Sequence, residues 1–388
     1  MVLKPNYKQT DAGVIPKEWD AIKLGDFFSL QRGHDLTWRD RRNGNVPVMG
    51  SAGQNGFHNA AIAKGPGVVL GRSGASFGQA HYCENDFWPH NTALYVTNFF
   101  GNDPLFVFYL LKSIDFSRHN SGGAQQSLNR NFISPIPIGV PRPPEQRVIA
   151  GALSDVDALL CALDQLIAKK RDLKQAAMQQ LLTGKTRLPG FQGGWDSKRI
   201  GEFTDCTAGG TPSTQVADYW GGSIRWMSSG ELNLKRVEEV EGRITEAGLH
   251  NSSTKMIPNK CVLVGLAGQG KTRGTVAMNF VELCTNQSIA AIFPNQTFVP
   301  EYLYYNLDSR YDELRELSAG DGGRGGLNLR IIKSINIDLP KLPEQTAIAE
   351  VLTDMDAELA ALEQRRAKTH ALKQGMMQEL LTGRTRLI

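Results

Sequence analysis

The sequence lacks several features that would mark a membrane, secreted or metal-binding protein. Its 388 residues contain no run of 18 apolar residues and no N-terminal leader pattern, which predicts a soluble, cytoplasmic protein without a membrane partner. The five cysteines are scattered, with no Cys-x-x-Cys pair, so neither a disulfide framework nor a zinc site is indicated. The seven histidines have no metal-ligand spacing, and we expect no metal site.

Signatures of common catalytic sites are also missing. The sequence has no Asn-Pro-Pro-aromatic or Asp-Pro-Pro-aromatic motif for amino-methyl transfer, no His-Glu-x-x-His and no Gly-x-Ser-x-Gly elbow, so we predict a chain that is not itself an enzyme. Residues 265–272 do fit the nucleotide-binding pattern G-x-x-x-x-G-K-[ST]. An ATPase of that class would need a helix directly after Thr272. The residues that follow are glycine and β-branched, which favours a hairpin.

A long segment of the sequence occurs twice. Residues 141–188 align without a gap to residues 340–387, and 28 of the 48 positions are identical. Each copy begins with a Pro-Glu-Gln corner and ends with Leu-Leu-Thr-Gly-Lys/Arg-Thr-Arg-Leu. The offset between the copies is far too long for a solenoid repeat, so the chain consists of two large halves in tandem.

The repeated segment has the pattern of a coiled-coil helix. Apolar residues step alternately by four and three, at Ile149, Leu153, Val156, Leu160, Leu163 and Ile167 and again at Ile348, Leu352, Met355, Leu359 and Leu362. About 37 residues at about 1.5 Å each give a rod of about 55 Å. Such a seam could belong to a core helix of an ordinary domain. Because the chain carries two of them, we predict that the helices pair antiparallel.

The rest of the chain has the composition of mixed α/β globules. Short β-branched or aromatic runs between turns predict strands at residues 68–70, 93–96, 261–264 and 288–293, and short helices at 104–112 and 300–306. The predicted fold class is α+β, with two globules of many short strands joined by two long antiparallel helices in pseudo-twofold internal symmetry. The predicted domains are residues 1–143, 144–190, 191–342 and 343–388.

Net charge is too small to argue for nucleic-acid binding by itself. The chain carries a formal net charge of +4, and residues 191–340 hold 15 basic against 17 acidic groups. Any phosphate-binding face must therefore come from local clusters. The candidate clusters, each of which could equally be solvated loop charge, are Arg39, Arg41 and Arg42; Lys271 and Arg273; and Arg324 and Arg330.

The repeated helices, their closing motif and residues 7–16 (YKQTDAGVIP) together resemble the specificity subunit of a type I restriction–modification system. The resemblance covers essentially the whole chain. It implies that each globule is a target-recognition domain that reads one half of a split, asymmetric site in double-stranded DNA. It further implies that the helices set the spacing and bind two methyltransferase subunits. S-adenosylmethionine would be bound by those subunits and no cofactor by this chain, and motor-nuclease subunits could join.

Candidate contact residues lie in glycine-rich loops at matching places of the two halves. Two of these loops, residues 71–78 (the first tip) and 265–274 (the second tip), follow apolar strands. Arg, Lys, Asn, Gln and Ser match the donors and acceptors of base edges. The predicted DNA-binding residues are Arg72, Ser73, Gln125, Gln126, Asn129, Gln269, Lys271, Arg273, Arg324 and Asn328.

Two alternatives to this assignment stay open at the level of sequence. Asn129 and Asn328 precede apolar segments, where an Asn can also cap or brace a loop. The whole chain could instead be an interaction scaffold whose globules bind peptides or glycans, which would show no salt-dependent DNA affinity. For the methyltransferase interface, the residues predicted are those of the Pro-Glu-Gln corners, Glu145, Gln146, Glu344 and Gln345.

Overall fold

The computed structural model describes residues 5–119, 127–268, 271–317 and 326–387. The chain divides into two compact units. Unit 1 comprises Met1–Gln165 and Gln364–Ile388, and unit 2 comprises Leu166–Glu363. Both divisions fall within long helices, so each unit contains a globule and one end of each long helix.

The described part of unit 1 is built mainly from short strands. The strands are β1 Tyr7–Thr10, β2 Gly13–Pro16, β3 Asp20–Lys23, β4 Ser29–Arg32, β5 Val46–Gly50, β6 Gly53–His58, β7 Gly67–Gly71, β8 Ala80–Cys83, β9 Trp88–Pro89, β10 Ala93–Asn98 and β11 Pro137–Val140. The short helices are α1 Leu24–Phe27, α2 Pro104–Ser113 and α3 Arg130–Ile133, and the first long helix is α4 Pro143–Leu181.

The main sheet of unit 1 has the strand order β4-β10-β7-β8 and is antiparallel. Its central strand β7 is buried along its whole length. Val68 and Leu70 pack into the core beneath α2, whereas Val69 packs into a second cluster on the opposite face. Successive side chains of a strand point to opposite faces, which explains why β7 is apolar throughout. A smaller sheet, β6-β5-β9, pairs β5 with β9 in parallel.

Unit 2 continues the chain with a second set of strands and helices. Its strands are β12 Asp196–Arg199, β13 Cys206–Ala208, β14 Trp220–Met227, β15 Arg236–Val237, β16 Arg243–Ile244, β17 Met256–Ile257, β18 Val262–Gly265, β19 Val276–Asn279, β20 Leu283–Thr285, β21 Ile289–Ile292 and β22 Asn336–Leu339. Its helices are α5 Ile200–Phe203, α6 Glu246–His250, α7 Pro300–Asp308, α8 Tyr311–Leu317 and α9 Leu329–Ser334, followed by the second long helix α10 Leu342–Leu380.

The two globules share one topology although their sequences align only weakly. The order β13-β21-β18-β19 in unit 2 repeats β4-β10-β7-β8, with β15 added beside β19. The parallel pair β14–β20 repeats β5–β9, and the pair β12–β22 repeats β3–β11. The strands and short helices predicted from sequence are confirmed in both units, and the internal repeat therefore extends from the helices to the globules.

The predicted antiparallel pairing of the long helices is confirmed within each unit. Both helices contain 39 residues. In unit 1, Asp157 forms an ion pair with Lys373 and Asp164 forms one with Arg366, so residue numbers rise along α4 as they fall along α10. Lys170 and Glu358 form a pair at 2.7 Å in unit 2, where Lys174 likewise contacts Asp356. Seam residues are buried or half-buried along both helices, as a coiled coil requires.

None of the described helices has the length and apolar character needed to span a bilayer.

Candidate nucleic-acid interface

In unit 1 the first tip lies against the segment that leads into α3. The backbone carbonyl of Arg72 accepts a hydrogen bond from Leu128 N–H at 2.8 Å, and Ser73 pairs with Ser127 in an isolated antiparallel bridge. Leu128 is fully buried in the core of the globule and fixes this segment. The fold thus places Arg72 and Ser73 close to Asn129, more than fifty residues further along the chain.

Unit 2 repeats this arrangement at the second tip. The carbonyl of Leu266 accepts from Leu327 N–H at 3.0 Å, and Leu327 is buried. Lys271 is held through its carbonyl, which accepts from the hydroxyls of Thr275 at 2.6 Å and Tyr311 at 3.0 Å. In both units, therefore, a backbone hydrogen bond joins a glycine-rich tip to the segment before a short helix.

The second tip is a hairpin rather than a nucleotide-binding loop. After Lys271 the chain turns at Gly274, whose φ of +78° favours glycine, and continues into β19, antiparallel to β18. Residues 271–275 contain no helix, so the helix N-terminus that would bind phosphates is absent from that segment. The prediction of a hairpin is confirmed.

The structure places the predicted side chains of the two tips differently. Arg72 and Ser73 are half-buried, Lys271 is exposed and Arg273 is half-buried. Lys271 and Arg72 make no ion pair with any residue in the described ranges, so both charges are available to a ligand. The remaining predicted residues, Gln125, Gln126, Gln269 and Arg324, lie outside the described residues.

Ser51, which the sequence did not single out, supports the first tip. This residue lies in the turn between β5 and β6 and is buried. Its hydroxyl oxygen accepts from the backbone N–H of Arg72 at 3.2 Å and of Ser73 at 3.4 Å, while the hydroxyl donates to Thr92 O. A serine in a polar turn gives no sequence signal of such a role, because its partners are backbone groups from distant strands.

Asn129 and Asn328 are helix caps, which was the alternative reading of these two residues. The side-chain oxygen of Asn129 accepts from Asn131 N–H at 3.0 Å at the start of α3. Asn328 accepts from Ile331 N–H at 3.0 Å at the start of α9. An Asn at this position satisfies a donor that the helix leaves unpaired. Because their oxygens are committed to the caps, only their exposed amide groups are left for a base contact.

We expect Asn328→Ala to lower the free energy of unfolding by about 1 kcal/mol, because a helix N-terminal donor loses its acceptor. Asn328→Asp should restore most of it, since Asp caps about as well as Asn. The measurement is urea denaturation of the three proteins. A loss of DNA preference in the Asp variant at unchanged stability would instead assign the amide group of Asn328 to base reading.

The four residues of the Pro-Glu-Gln corners, which the sequence predicted at the methyltransferase interface, are buried inside the units. The exposed fractions are 3% for Glu145, 1% for Gln146, 2% for Glu344 and 2% for Gln345. Side chains with so little accessible area offer a partner almost no surface. They make internal contacts that join each globule to the long helices.

Each glutamine ties the start of a long helix to the N-terminus of a globule helix. Gln146 donates to Pro141 O at 2.9 Å and accepts from the N–H of Asp103, the N-cap residue of α2, at 2.9 Å. Gln345 repeats both contacts, with the carbonyl five residues before it at 2.8 Å and with the N–H of Val299, the N-cap residue of α7, at 2.9 Å. The amide side chain thereby orients the globule helix.

Each glutamate forms a two-pronged ion pair with an arginine from the other copy of the repeat. Glu145 receives Nε and Nη2 of Arg386, both at 2.9 Å, and also Nε1 of Trp19 at 3.1 Å. Glu344 receives Nε and Nη2 of Arg187. We call these the clasps. Because the start of one helix meets the end of the other, the clasps require the antiparallel arrangement and fix its register.

A second repeated contact lies about three helix turns beyond each clasp, further into the long helices. In unit 1 the hydroxyl of Tyr109 on α2 donates to Asp157 Oδ2 at 2.8 Å, and Lys373 binds the other oxygen of the same carboxylate. The ammonium group of Lys373 also lies 5.4 Å from the centre of the Tyr109 ring. One carboxylate therefore connects the globule helix to both long helices.

Unit 2 contains the same triad, formed by Tyr305, Asp356 and Lys174. Tyr305 donates to Asp356 Oδ2 at 2.8 Å, and the Lys174 ammonium lies 5.4 Å from the Tyr305 ring centre. Burial raises the pKa of Tyr305 well above its usual range, and the hydrogen bond to Asp356 acts in the same direction. The hydroxyl therefore stays protonated and acts as the donor in this contact.

Comparison with known proteins agrees with this architecture. The sequence profile described as the type I restriction modification DNA specificity domain matches residues 16–172 and 192–370. The EcoR124I/EcoR124II type I restriction enzyme specificity subunit of Escherichia coli is 27% identical over 259 residues, covering 65% of this chain. The MjaVIII specificity subunit of Methanocaldococcus jannaschii is 20% identical over 417 residues, covering 98% of this chain and 96% of that protein.

The length of the match differs between relatives. The chain spans 63% of the length of the E. coli relative. Among solved structures, the S subunit of a type I restriction-modification system from M. genitalium superposes with a TM-score of 0.67 at 15% identity, covering 98% of both chains. At this identity the likeness shows a shared fold. Because the profile matches most of both units, the chain belongs to the family of the type I restriction modification DNA specificity domain.

Proposed function

We propose that this chain is the DNA-reading subunit of a type I restriction–modification complex, in which each unit reads one half of a split site. The observation that carries the proposal is the double match to a DNA specificity domain, one match for each globule. Two supporting features are the shared topology of the globules and the different side chains of their tips. A common frame with different reading residues suits an asymmetric target.

The tips have the properties of a base reader. Each is joined by a backbone hydrogen bond, at Arg72 or Leu266, to a buried Leu, Leu128 or Leu327, which anchors that residue to the core of its globule. Arg72 presents a fork of donors that matches guanine, whereas Lys271 presents a point charge suited to a phosphate. One turn of DNA is about 34–36 Å long, and a helix of 39 residues spans about 58 Å. Helices of that length are long enough to set the spacing of two readers.

The partners in this proposal are two methyltransferase subunits, which would bind S-adenosylmethionine, while this chain performs no chemistry. Since the Pro-Glu-Gln corners are buried, we place docking on exposed faces of the long helices. Leu159, Leu166 and Leu173 of α4 are 38–46% exposed and recur every seven residues, so they lie on one face. We assign this face to a methyltransferase subunit, with room for motor-nuclease subunits in the full complex.

Mapping methylated adenines in the genome of the source organism, with and without the gene for this chain, tests the proposal. We expect a split, asymmetric motif that loses methylation when the gene is deleted. In the matching experiment with purified proteins, the chain alone should transfer no methyl group, and the methyltransferase subunits should need it. An unchanged methylation pattern after deletion, or methyl transfer by the chain alone, would refute the proposal.

Alanine substitutions at the two tips should have different effects, because Arg72 is assigned to a base and Lys271 to a phosphate. Arg72→Ala should cost about 1–3 kcal/mol of binding free energy and relax the preference at one position of the first half-site. Lys271→Ala should weaken binding to all sequences alike and lower the slope of log affinity against log salt by about one. The measurement is binding of the complex to duplexes with single-base changes in each half-site. If both variants keep wild-type affinity and preference, the tips are plain hairpins.

A further inference from the structure

A tryptophan in unit 1 is almost fully exposed. Trp38 has 79% of its surface accessible, more than any other large hydrophobic residue in the described part of the chain, and the next is Leu372 at 60%. The guanidinium carbon of Arg39 lies 5.3 Å from the centre of its ring. An indole left in water forgoes a large gain from burial, and Trp with Arg is a pair enriched where proteins bind partners.

The turn that carries Trp38 is held in place rather than loose. Leu36 before it is buried, and Thr37 O accepts from the N–H groups of both Asp40 and Arg41. The Arg41 guanidinium donates to the main chain of Asn55 at 2.8 Å and to its side chain at 3.0 Å. Trp38 and Arg39 are therefore presented outward by a turn that is anchored to β6.

This anchored turn contacts the β5–β6 hairpin, which also supports the first tip. Asn55 lies on β6, and the turn between β5 and β6 contains Ser51, which bonds the backbone of Arg72. Arg39 and Arg42 form no ion pair with residues of the described ranges. Residues 35–42 carry three arginines and two aspartates, so an anionic partner meets a net positive charge beside the exposed indole.

Unit 2 has no counterpart of this feature. The matching connection, between β13 and β14, is residues 209–219, and it contains neither tryptophan nor a basic residue. The exposed pair is therefore not a requirement of the shared fold. Its presence in one unit indicates a contact that only this unit makes.

We propose that Trp38 and Arg39 bind the DNA duplex beside the first tip, with the indole against the sugars of the backbone and the guanidinium on a phosphate. The inference rests on the proposed DNA-reading function and adds a contact to it. The sugar–phosphate backbone is the same at every nucleotide, so the contact supplies affinity with little sequence preference. Its non-ionic part is insensitive to salt, whereas the Arg39 contact releases a counterion.

The test is equilibrium binding of a synthetic duplex, carrying the site found by methylation mapping, to the complex of this chain with its methyltransferase subunits. Trp38→Ala should weaken binding by about tenfold, the size of effect expected when a large aromatic contact at an interface is truncated, at an unchanged salt slope. Trp38→Phe should keep most of the affinity. Arg39→Gln should lower the salt slope by about one. DNA should quench the tryptophan fluorescence of wild type more than that of Trp38→Phe.

Phe100→Ala provides the matched control, since Phe100 is 53% exposed and lies in unit 1 before α2, away from this hairpin. It should bind DNA like wild type. If Trp38→Ala and Arg39→Gln also bind like wild type while wild type shows salt-dependent binding, the inference is wrong and the proposed function stands. Loss of subunit assembly with unchanged DNA affinity of the assembled complex would make this surface a protein interface. A wild-type complex without salt-dependent DNA binding would overturn the proposed function and this contact together.

Discussion

Leu163→Asp is expected to lower the free energy of unfolding by about 3–5 kcal/mol, because a carboxylate without a partner would be buried in the helix seam. Leu163 is 4% exposed on α4 and belongs to the predicted alternating pattern. The adjacent Asp164 pairs with Arg366, and both of these side chains are about half exposed, at the edge of the seam. Denaturant titration followed by circular dichroism measures the loss.

Leu159→Asp is the matched control on the same helix. Leu159 is 40% exposed, so its replacement should change stability by less than about 0.5 kcal/mol. On the proposed docking face it should instead weaken assembly with a methyltransferase subunit. Equal destabilisation by both variants would mean that α4 is buried on more than one face. No loss of stability from Leu163→Asp would mean that the seam is not a buried core.

The helices were predictable because their pattern is local and repeated. Alternating steps of three and four, seen twice in one chain, leave few arrangements that bury both seams. The residues that close the helix ends, Gly184 and Gly383, adopt φ values of +66° and +69°, a backbone conformation typical of a glycine just after a helix. Period and end signals depend on residues that are close in sequence, so they can be read without knowing the fold.

The arrangement of the strands was not predictable in the same way. β9 and β16 contain two residues each, which is too short to produce an alternating pattern. Parallel pairing of β5 with β9 joins residues about forty positions apart, and no turn signal marks it. Strands with long apolar runs, such as β7 and β18, could be predicted from the sequence because burial on both faces makes every position apolar.

The Pro-Glu-Gln corners show why the candidate site was only partly predictable. A repeated Glu or Gln is usually exposed, and composition gives no sign that Glu145 and Glu344 are buried. A signal was present in the repeat itself: each copy carries a Glu at its start and an Arg at its end. Antiparallel helices bring the start of one copy to the end of the other, so the partners of both glutamates could have been inferred from the predicted pairing.

Breaking a clasp should lower the free energy of unfolding by as much as introducing a charged residue into the helix seam. Arg187→Ala would leave the Glu344 carboxylate, which is 2% exposed, without its two charged donors, and we expect a loss of about 3–5 kcal/mol. A double-mutant cycle with Glu344→Gln isolates the interaction, and the coupling free energy should be about 2–3 kcal/mol. Arg187 also lies over the Trp195 ring, at 5.4 Å from its centre, so Arg187→Ala should cost more than Glu344→Gln.

The pair Arg171–Glu363 supplies the control cycle, because it joins the same two helices in the same unit with side chains that are 63% and 49% exposed. Its coupling should be below about 1 kcal/mol, since solvent screens an exposed pair. If both cycles gave the same small value, the clasps would be ordinary surface pairs and the repeated Glu and Arg would need another explanation. A large coupling for Arg187 and Glu344 alone would make the clasps the contacts that hold the register of the two helices. It would also explain why the repeated corners and closing motifs lie at the ends of the helices rather than on the faces proposed for docking.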